Sequence, residues 1–200
     1  MNWVPFATKK YLFQLLFVPT YTSYSQVAEL EFLTAPHKVE MGEGEEEGFS
    51  WWPRGEEERL EVSLALVERT VVEGGFDGLL CFSQGAALGG LMARLQHRGT
   101  LQLHISFCIL VSGFIPDRHR DKFSLEDRIC LPSLHILGQK DLVIEEARSR
   151  RLADQFQEPT VCLHPGGHFM PYTGDVKEAV LGFLGARQEH LALRTAKTSS

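Results

Sequence analysis

A serine, an aspartate and a histidine stand in this chain at positions where acyl-transfer chemistry could be assembled. Ser83 directly follows the apolar run Phe76–Phe82, and Asp141 and His168 each come shortly after a later apolar run of strand length. A hydroxyl, an imidazole and a carboxylate can serve as nucleophile, general base and orienting group. Their use depends on whether the fold brings the three side chains to one place.

The turn around Ser83 has the composition of a nucleophile elbow. Such a turn lifts one side chain above the end of a strand and needs small residues on either side of it. Gly85 supplies one of them, but Cys81 stands where the other glycine is usual, so we expect a more crowded turn. The backbone N–H of Gln84, at the start of the following helix, would face a developing oxyanion. The alternative is that Ser83 only caps that helix.

Asp141 and His168 complete the pattern at two later strand ends. The carboxyl ends of parallel strands share one edge of a sheet, where functional residues are commonly delivered. The chain order Ser, Asp, His is that of an α/β-hydrolase triad and differs from the orders of other serine-hydrolase folds. Gly166 and Gly167 would let the histidine loop bend toward Ser83. Taken singly, the aspartate could be a turn residue and the histidine a loop residue.

Other candidate site residues are less specific. Trp51 and Trp52 could line a substrate groove or cover the core, and Phe169, next to His168, is a further candidate for substrate binding. A zinc site at His164 and His168 is disfavoured, because the proline and two glycines between them prevent both from lying on one helix face.

Apolar runs of strand length alternate with segments of helical spacing, which predicts a mostly parallel sheet with helices on both faces, an α/β fold. The predicted strands are Val27–Leu33, Phe76–Phe82, Ile105–Val111, Leu131–Leu137 and Thr160–Leu163. The predicted helices are Glu57–Val72, a segment beginning at Ser83, Glu145–Phe156 and Val176–Leu184. Residues 40–55 are predicted to form a loop, and Gly89-Gly90 to let the second helix pack closely on the sheet.

The net charge of −6 comes from one segment of the chain and therefore does not indicate an acidic or basic binding surface. Eight glutamates and one arginine lie between Glu40 and Glu58, and the rest of the chain is nearly neutral. Lysine and arginine form no cluster with interleaved aromatic residues, so nucleic-acid binding is not expected. No apolar run approaches the roughly 20 residues that a membrane span needs.

The four cysteines are widely spaced and form no CxxC motif. Three lie within predicted strands and Cys130 borders a fourth, which predicts buried, reduced thiols. Free thiols are typical of the cytoplasm, so we expect a cytoplasmic protein, with the nucleus as a further compartment. The sequence does not indicate the oligomeric state.

Four segments resemble the FSH-type serine hydrolases. They include the serine turn and the histidine loop, and they are Phe76–Ala86, Leu110–Phe114, Leu131–His135 and Gly166–Pro171. The tryptophan pair ahead of the serine also matches that family. The resemblance implies an α/β-hydrolase fold and the hydrolysis of small carboxylic esters with neither a metal nor an organic cofactor. It assigns the triad to Ser83, Asp141 and His168.

The beginning of the chain departs from this family. Its members start with a strand and a His-Gly loop that supplies part of the oxyanion hole, whereas residues 1–26 contain no histidine and no glycine. We therefore expect that the first strand and the oxyanion loop are missing or replaced, with Tyr11–Val18 as the candidate replacement strand. The predicted division is a divergent segment 1–26, either poorly ordered or carrying the replacement strand, a hydrolase domain 27–187 and a tail 188–200.

Two other functions remain open at this point. Loss of one oxyanion donor typically costs on the order of 10²–10³ in kcat. A catalytically impaired protein that uses the hydrolase scaffold for interactions is therefore one alternative. An acyl-thioesterase is the other, because a Ser-Asp-His triad does not distinguish esters from thioesters.

Overall fold

The fold is organised around a six-stranded sheet in which all pairings are parallel. The computed structural model describes residues 10–14, 28–39, 48–53, 55–172 and 174–198. The strand order is β2-β1-β5-β6-β7-β8, and β3 and β4 form a separate antiparallel ribbon. The strands are β1 (Lys10–Gln14), β2 (Glu29–Phe32), β3 (His37–Val39), β4 (Gly48–Ser50), β5 (Gly78–Phe82), β6 (Phe107–Val111), β7 (Ser133–Gly138) and β8 (Thr160–His164).

Helices follow most of the sheet strands and cover both faces. They are α1 (Leu60–Gly74), α2 (Gln84–His97), α3 (Glu146–Ala153) and α4 (Gly174–Thr198), with short 3₁₀ turns at Glu57–Arg59 and Asp117–Lys122. Among the described residues, no helix combines the length and the apolar character that crossing a membrane requires. The predicted α/β architecture is confirmed.

Side-chain alternation along the central strands divides the core into two layers. Successive residues of a strand point to opposite faces of its sheet. Leu79 and Cys81 of β5 accordingly pack with α1, α2 and α3, while Leu80 packs with Val176 and Val180 of α4 on the other face. Strands β5 to β7 are buried on both faces, so β5 and β6 are continuous apolar runs, whereas β7 also buries Ser133 and His135.

Two central glycines let helix α2 approach its neighbours closely, Gly89 against the sheet and Gly90 against α3. A Cβ on Gly89 would lie 2.8 Å from the Cys81 sulfur, and a Cβ on Gly90 would lie 2.9 Å from the Leu152 side chain. The prediction that these glycines let the helix pack closely on the sheet is confirmed for Gly89, whereas Gly90 makes room for Leu152 of α3.

The sequence left open whether a first strand exists, and the structure places one within the divergent segment. Strand β1 lies between β2 and β5, and Leu12 pairs with Leu79 of β5. A strand thus occupies the position beside the serine strand, as predicted for a replacement. Residues 15–27, which follow β1, lie outside the described residues, so the expected loss or replacement of the oxyanion loop stays a prediction. The division at 26 and 187 stays a prediction, although helix α4 continues past 187 to Thr198.

Two local predictions need correction. Residues 40–55 were expected to be loop throughout, but Gly48–Ser50 pairs with His37–Val39 as an antiparallel ribbon, because three-residue strands leave too short an alternation to recognise. All four cysteines are free, yet only Cys81 and Cys108 are buried; Cys130 is exposed. Cys130 precedes β7 rather than lying in it, so the sheet does not cover it.

Candidate active site

Ser83 occupies a strained turn between β5 and α2. Its backbone has φ 53° and ψ −118°, a conformation that residues other than glycine adopt rarely. The turn is held by two hydrogen bonds: the Ser83 N–H donates to the Val111 carbonyl at 2.8 Å, and the Ala87 N–H donates to the Ser83 carbonyl at 3.0 Å. The structure therefore contains the predicted tight turn, with Ser83 at the carboxyl edge of the sheet.

The crowding expected from Cys81 is relieved by helix α2. The Cys81 sulfur fills the space beside Gly89, where a larger residue would collide with it. The cysteine is completely buried. Burial, with a smaller contribution from Cys108, raises the pKa of the Cys81 thiol well above its ordinary value. Cys81 is therefore a neutral packing residue and does not compete with Ser83 as a nucleophile.

His168 connects the other two side chains by hydrogen bonds. Its Nδ1 lies 2.8 Å from Asp141 Oδ2, and its Nε2 lies 2.9 Å from Ser83 Oγ. A carboxylate only accepts hydrogen bonds, so Nδ1 carries the proton and Nε2 of the neutral ring accepts from the serine hydroxyl. The Phe82 ring packs against the imidazole at 4.7 Å between centroids and limits its rotation.

Asp141 is held rigidly and in its ionised form. Its Oδ1 accepts hydrogen bonds from the N–H groups of Val143 at 2.9 Å and Ile144 at 2.8 Å, while Oδ2 faces His168. Burial acts to raise the pKa of the Asp141 carboxyl, but the hydrogen bonds from His168, Ile144, Ser112 and Val143 outweigh it. The pKa therefore lies below its ordinary value.

The loops that carry Asp141 and His168 are joined backbone to backbone. The N–H of Lys140 donates to the Gly166 carbonyl at 2.9 Å, and that of Gln139 donates to the His164 carbonyl at 2.9 Å. Gly138 permits this contact, because a Cβ there would collide with the carbonyl oxygens of Gly166 and Gly167. Of the two glycines predicted to free the histidine loop, Gly166 leaves no room for a side chain, because a Cβ there would collide with the Phe169 ring and the His164 side chain.

Gln84 is predicted to act through its backbone N–H, and its side chain makes contacts that the sequence does not indicate. As the first residue of α2, its N–H has no acceptor within the helix. Its side-chain amide bonds to the backbone of Trp51 and Trp52. Those partners lie more than 30 residues away in sequence, and no local pattern indicates them.

The two tryptophans are core residues in the structure. Trp51 is completely buried and Trp52 is 5% exposed, and both belong to the apolar layer that contains α1 and α2. Trp52 packs edge-on against Phe114 at 6.4 Å between ring centroids. This burial favours the alternative that they cover the core, and their predicted contact with substrate remains a prediction.

Phe169 lies at the surface beside the histidine. It is 51% exposed, and its ring packs edge-on against His164 at 5.2 Å between centroids. His164 is buried, and its Nδ1 accepts a hydrogen bond from the Gly166 N–H at 3.2 Å. With both nitrogens of His168 engaged by Asp141 and Ser83, the geometry differs from that of a metal-binding histidine pair.

Comparison with known proteins, like the geometry of the site, indicates a hydrolase. A family model described as serine hydrolase (FSH1) matches residues 7–180. An esterase of Anopheles gambiae is 32% identical over 194 residues, which span 88% of this chain and 73% of the mosquito protein. The esterase OVCA2 of Homo sapiens is 37% identical over 186 residues, which span 78% of this chain and 82% of the human protein.

A solved structure shares the fold. The crystal structure of Zea mays acyl-protein thioesterase 2 matches with a TM-score of 0.67, covering 92% of this chain and 96% of the maize chain. The sequences are 20% identical, so the likeness concerns the α/β-hydrolase fold alone.

Proposed function

Because the chain belongs to the FSH1 family of serine hydrolases, we propose that it hydrolyses small carboxylic esters through an acyl-enzyme on Ser83. The observation that carries this proposal is the continuous hydrogen-bond path from Ser83 through His168 to Asp141. The relatives named as esterases support an ester as substrate.

In the acylation step, Ser83 Oγ attacks the ester carbonyl carbon while His168 Nε2 takes the hydroxyl proton. The carbonyl oxygen becomes an oxyanion in a tetrahedral intermediate. When that intermediate collapses, the carbon–oxygen bond to the alcohol breaks and His168 returns the proton to the leaving alcohol. Asp141 keeps the proton of the neutral ring on Nδ1 and stabilises the imidazolium formed in between.

Deacylation repeats the sequence with water. His168 takes a proton from a water molecule as its oxygen attacks the acyl carbon, a second tetrahedral intermediate forms, and the bond to Ser83 Oγ breaks. The proton passes to Ser83 and the carboxylic acid leaves. The lowered pKa of Asp141 keeps its carboxylate charged through both steps at neutral pH.

The start of α2 provides electrostatic support for the oxyanion. The unpaired N–H groups of a helix N-terminus carry partial positive charge. In this proposal the Gln84 N–H is the oxyanion donor on the serine side, and each such donor contributes on the order of 10²–10³ in kcat.

The direct test is hydrolysis of a p-nitrophenyl ester by the wild-type protein and by Ser83→Ala. We expect measurable wild-type turnover and a loss of about 10³-fold or more in kcat for the variant. An acyl-CoA thioester assayed in parallel shows which ester class is preferred. Equal rates for the two proteins, or no turnover by wild type while its fold is intact, would contradict the proposal and favour a catalytically impaired scaffold.

A further inference from the structure

The side chain of Gln84 makes a two-point contact with the backbone of a distant segment. The Trp51 N–H donates to Gln84 Oε1 at 2.8 Å, and Gln84 Nε2 donates to the Trp52 carbonyl at 2.8 Å. A third hydrogen bond holds the same segment from α1, where the Ser63 hydroxyl donates to the Trp51 carbonyl at 2.5 Å. The primary amide is suited to this contact because it presents one acceptor and one donor side by side.

This contact ties the serine turn to a buried part of the core. Trp51 is 0% exposed and therefore gives the segment little freedom to move. Gln84 directly follows Ser83 and is the first residue of α2. Because the oxygen and the nitrogen of its side-chain amide are both hydrogen-bonded, the orientation of its backbone N–H is fixed as well. The residue thus has a fixed side chain and an N–H that points out of the helix start.

The opposite end of the same helix contains a chemically equal contact. Gln96, in the last turn of α2, donates from Nε2 to the Ile105 carbonyl at 3.0 Å and accepts from the Ile105 N–H at Oε1, also at 3.0 Å. Both glutamines are half-buried. Gln96 lies far along the helix from Ser83, so it makes the same bonds without the neighbouring site.

We infer that the Gln84 side chain is a positioning element that fixes the oxyanion-facing N–H of its own backbone by clamping it to the Trp51–Trp52 segment. This inference rests on the proposed function, because it assigns that N–H to the oxyanion. Gln96 stabilises the fold through the same bonds but positions nothing in the site. Comparing Gln84 with Gln96 therefore distinguishes a structural effect from a positioning effect within one helix.

The experiment compares Gln84→Met with Gln96→Met. Methionine has a similar length and removes both hydrogen bonds without adding charge, and the backbone N–H of residue 84 is kept. We expect comparable decreases in Tm for the two variants. For p-nitrophenyl ester hydrolysis we expect kcat of Gln84→Met to fall about tenfold or more with little change in KM, whereas Gln96→Met should stay within about twofold of wild type.

The variant Gln84→Glu provides a pH dependence of activity that would not be observed if the Gln84 side chain had only a structural role. A protonated carboxyl can accept from Trp51 and donate to Trp52 as the amide does, but a carboxylate faces the Trp52 carbonyl with a second acceptor. Activity relative to wild type at the same pH should therefore rise by about twofold or more between pH 8 and pH 5, as the carboxyl begins to be protonated. Gln96→Glu should show no such change in relative activity.

Acrylamide quenching of tryptophan fluorescence tests the clamp without relying on turnover. Gln84→Met should increase quenching, since Trp51 and Trp52 lose their anchor, and Gln96→Met should not. Equal kcat losses in the two methionine variants, or a relative activity of Gln84→Glu that does not change with pH, would overturn the inference. Should wild type not hydrolyse the ester at all, the proposed function fails; unchanged quenching in Gln84→Met overturns the clamp separately.

Discussion

The two ends of helix α2 each hold an aspartate–histidine pair, but the pairs are connected differently. At the start of the helix, His168 links the Asp141 carboxylate to the Ser83 hydroxyl. At the end of the helix, His97 Nε2 lies 2.9 Å from an oxygen of Asp127, and its Nδ1 accepts the backbone N–H of Cys130 at 3.4 Å. An acid and an imidazole in contact therefore do not by themselves make a reactive site.

What differs is the group on the second nitrogen of the imidazole. A serine hydroxyl can give up its proton to become a nucleophile, whereas a backbone amide cannot. The Cys130 thiol donates to Gln157 Oε1 at 3.0 Å, so it is turned toward another acceptor. The pair at the helix end joins two parts of the chain, whereas in the proposed function the pair at the helix start transfers a proton.

The carboxylates also differ in their surroundings. Asp127 is approached by Arg94 and Arg98 as well as by His97, and its side chain is 47% exposed. The hydrogen bond from His97, aided by Arg98 and by the charge of Arg94, lowers the pKa of Asp127. Asp141 is nearly inaccessible and bonds only to neutral donors in addition to His168. We regard Asp127 as an anchor for the loop before β7.

The largest expected effect separates the two histidines. His168→Ala removes the proposed base, so kcat for a p-nitrophenyl ester should fall by about 10³-fold or more. His97→Ala removes a connection between helix and loop, so kcat should stay within about threefold of wild type while the unfolding midpoint in urea decreases. A large activity loss in the His97 variant would show that the comparison between the two pairs is wrong.

The second prediction separates the two aspartates. Asp141→Asn keeps the shape but presents an amide to His168 and disturbs its tautomer, so kcat should fall on the order of 10²–10⁴. Asp127→Asn should change kcat by no more than about threefold. Steady-state kinetics at pH 8 measures kcat for both variants. Comparable losses of kcat would show that the two aspartates do not differ in their contribution to activity.

The same two variants should become equal to wild type in stability at acid pH. Both carboxyls have a pKa below the ordinary value in the folded state, so they stabilise the fold above that ordinary value, about 3.9. That contribution is lost as pH falls through the lower folded-state pKa. Urea unfolding should show each variant less stable than wild type at pH 7, with the difference shrinking toward pH 3. A difference that grows on acidification would be inconsistent with this assignment.

Much of the site was predictable because strand ends converge in a parallel sheet. Ser83, Asp141 and His168 follow three apolar runs, and the β5–β8 topology places those ends on one edge. The fold class follows from the same runs. The divergence of residues 1–26 from the family stays a prediction, although the strand expected in that segment is present as β1.

The remaining features depend on contacts between distant residues. Gln84 and Trp52 are 32 residues apart, and His97 and Asp127 are 30 apart. Side-chain hydrogen bonds to a backbone leave no periodicity, so no pattern indicates them. The compensation between Cys81 and Gly89 is another case, since a close approach of helix and strand shows only in three dimensions.

A fourth prediction concerns the anchor at the helix end. The Arg94 side chain is fully buried and donates to the Asp127 carboxylate at 3.1 Å and to the Asp127 backbone carbonyl. Arg94→Met should lower the free energy of unfolding by about 2–4 kcal/mol. Arg98→Met is the matched control, because Arg98 is 37% exposed and should cost less than about 1 kcal/mol. Urea titrations of both variants test whether the buried Arg94 stabilises the fold more than the partly exposed Arg98 does.

The smallest effect concerns packing at the serine turn. Gly89→Ala places a methyl 2.8 Å from the Cys81 sulfur and should destabilise the protein by about 1–3 kcal/mol. Adding Cys81→Gly vacates that space, so the double variant should lose less stability than the two single losses combined. Simple additivity in thermal unfolding would mean that Cys81 and Gly89 do not compensate each other.

The central claim is that the helix start, and not its end, holds the nucleophile. The most direct test treats the protein with a fluorophosphonate and locates the adduct by peptide mass spectrometry. The account predicts one adduct, on the peptide that contains Ser83, abolished by Ser83→Ala and strongly slowed by His168→Ala. An adduct on the Cys130 peptide, or equal labelling of wild type and Ser83→Ala, would contradict it.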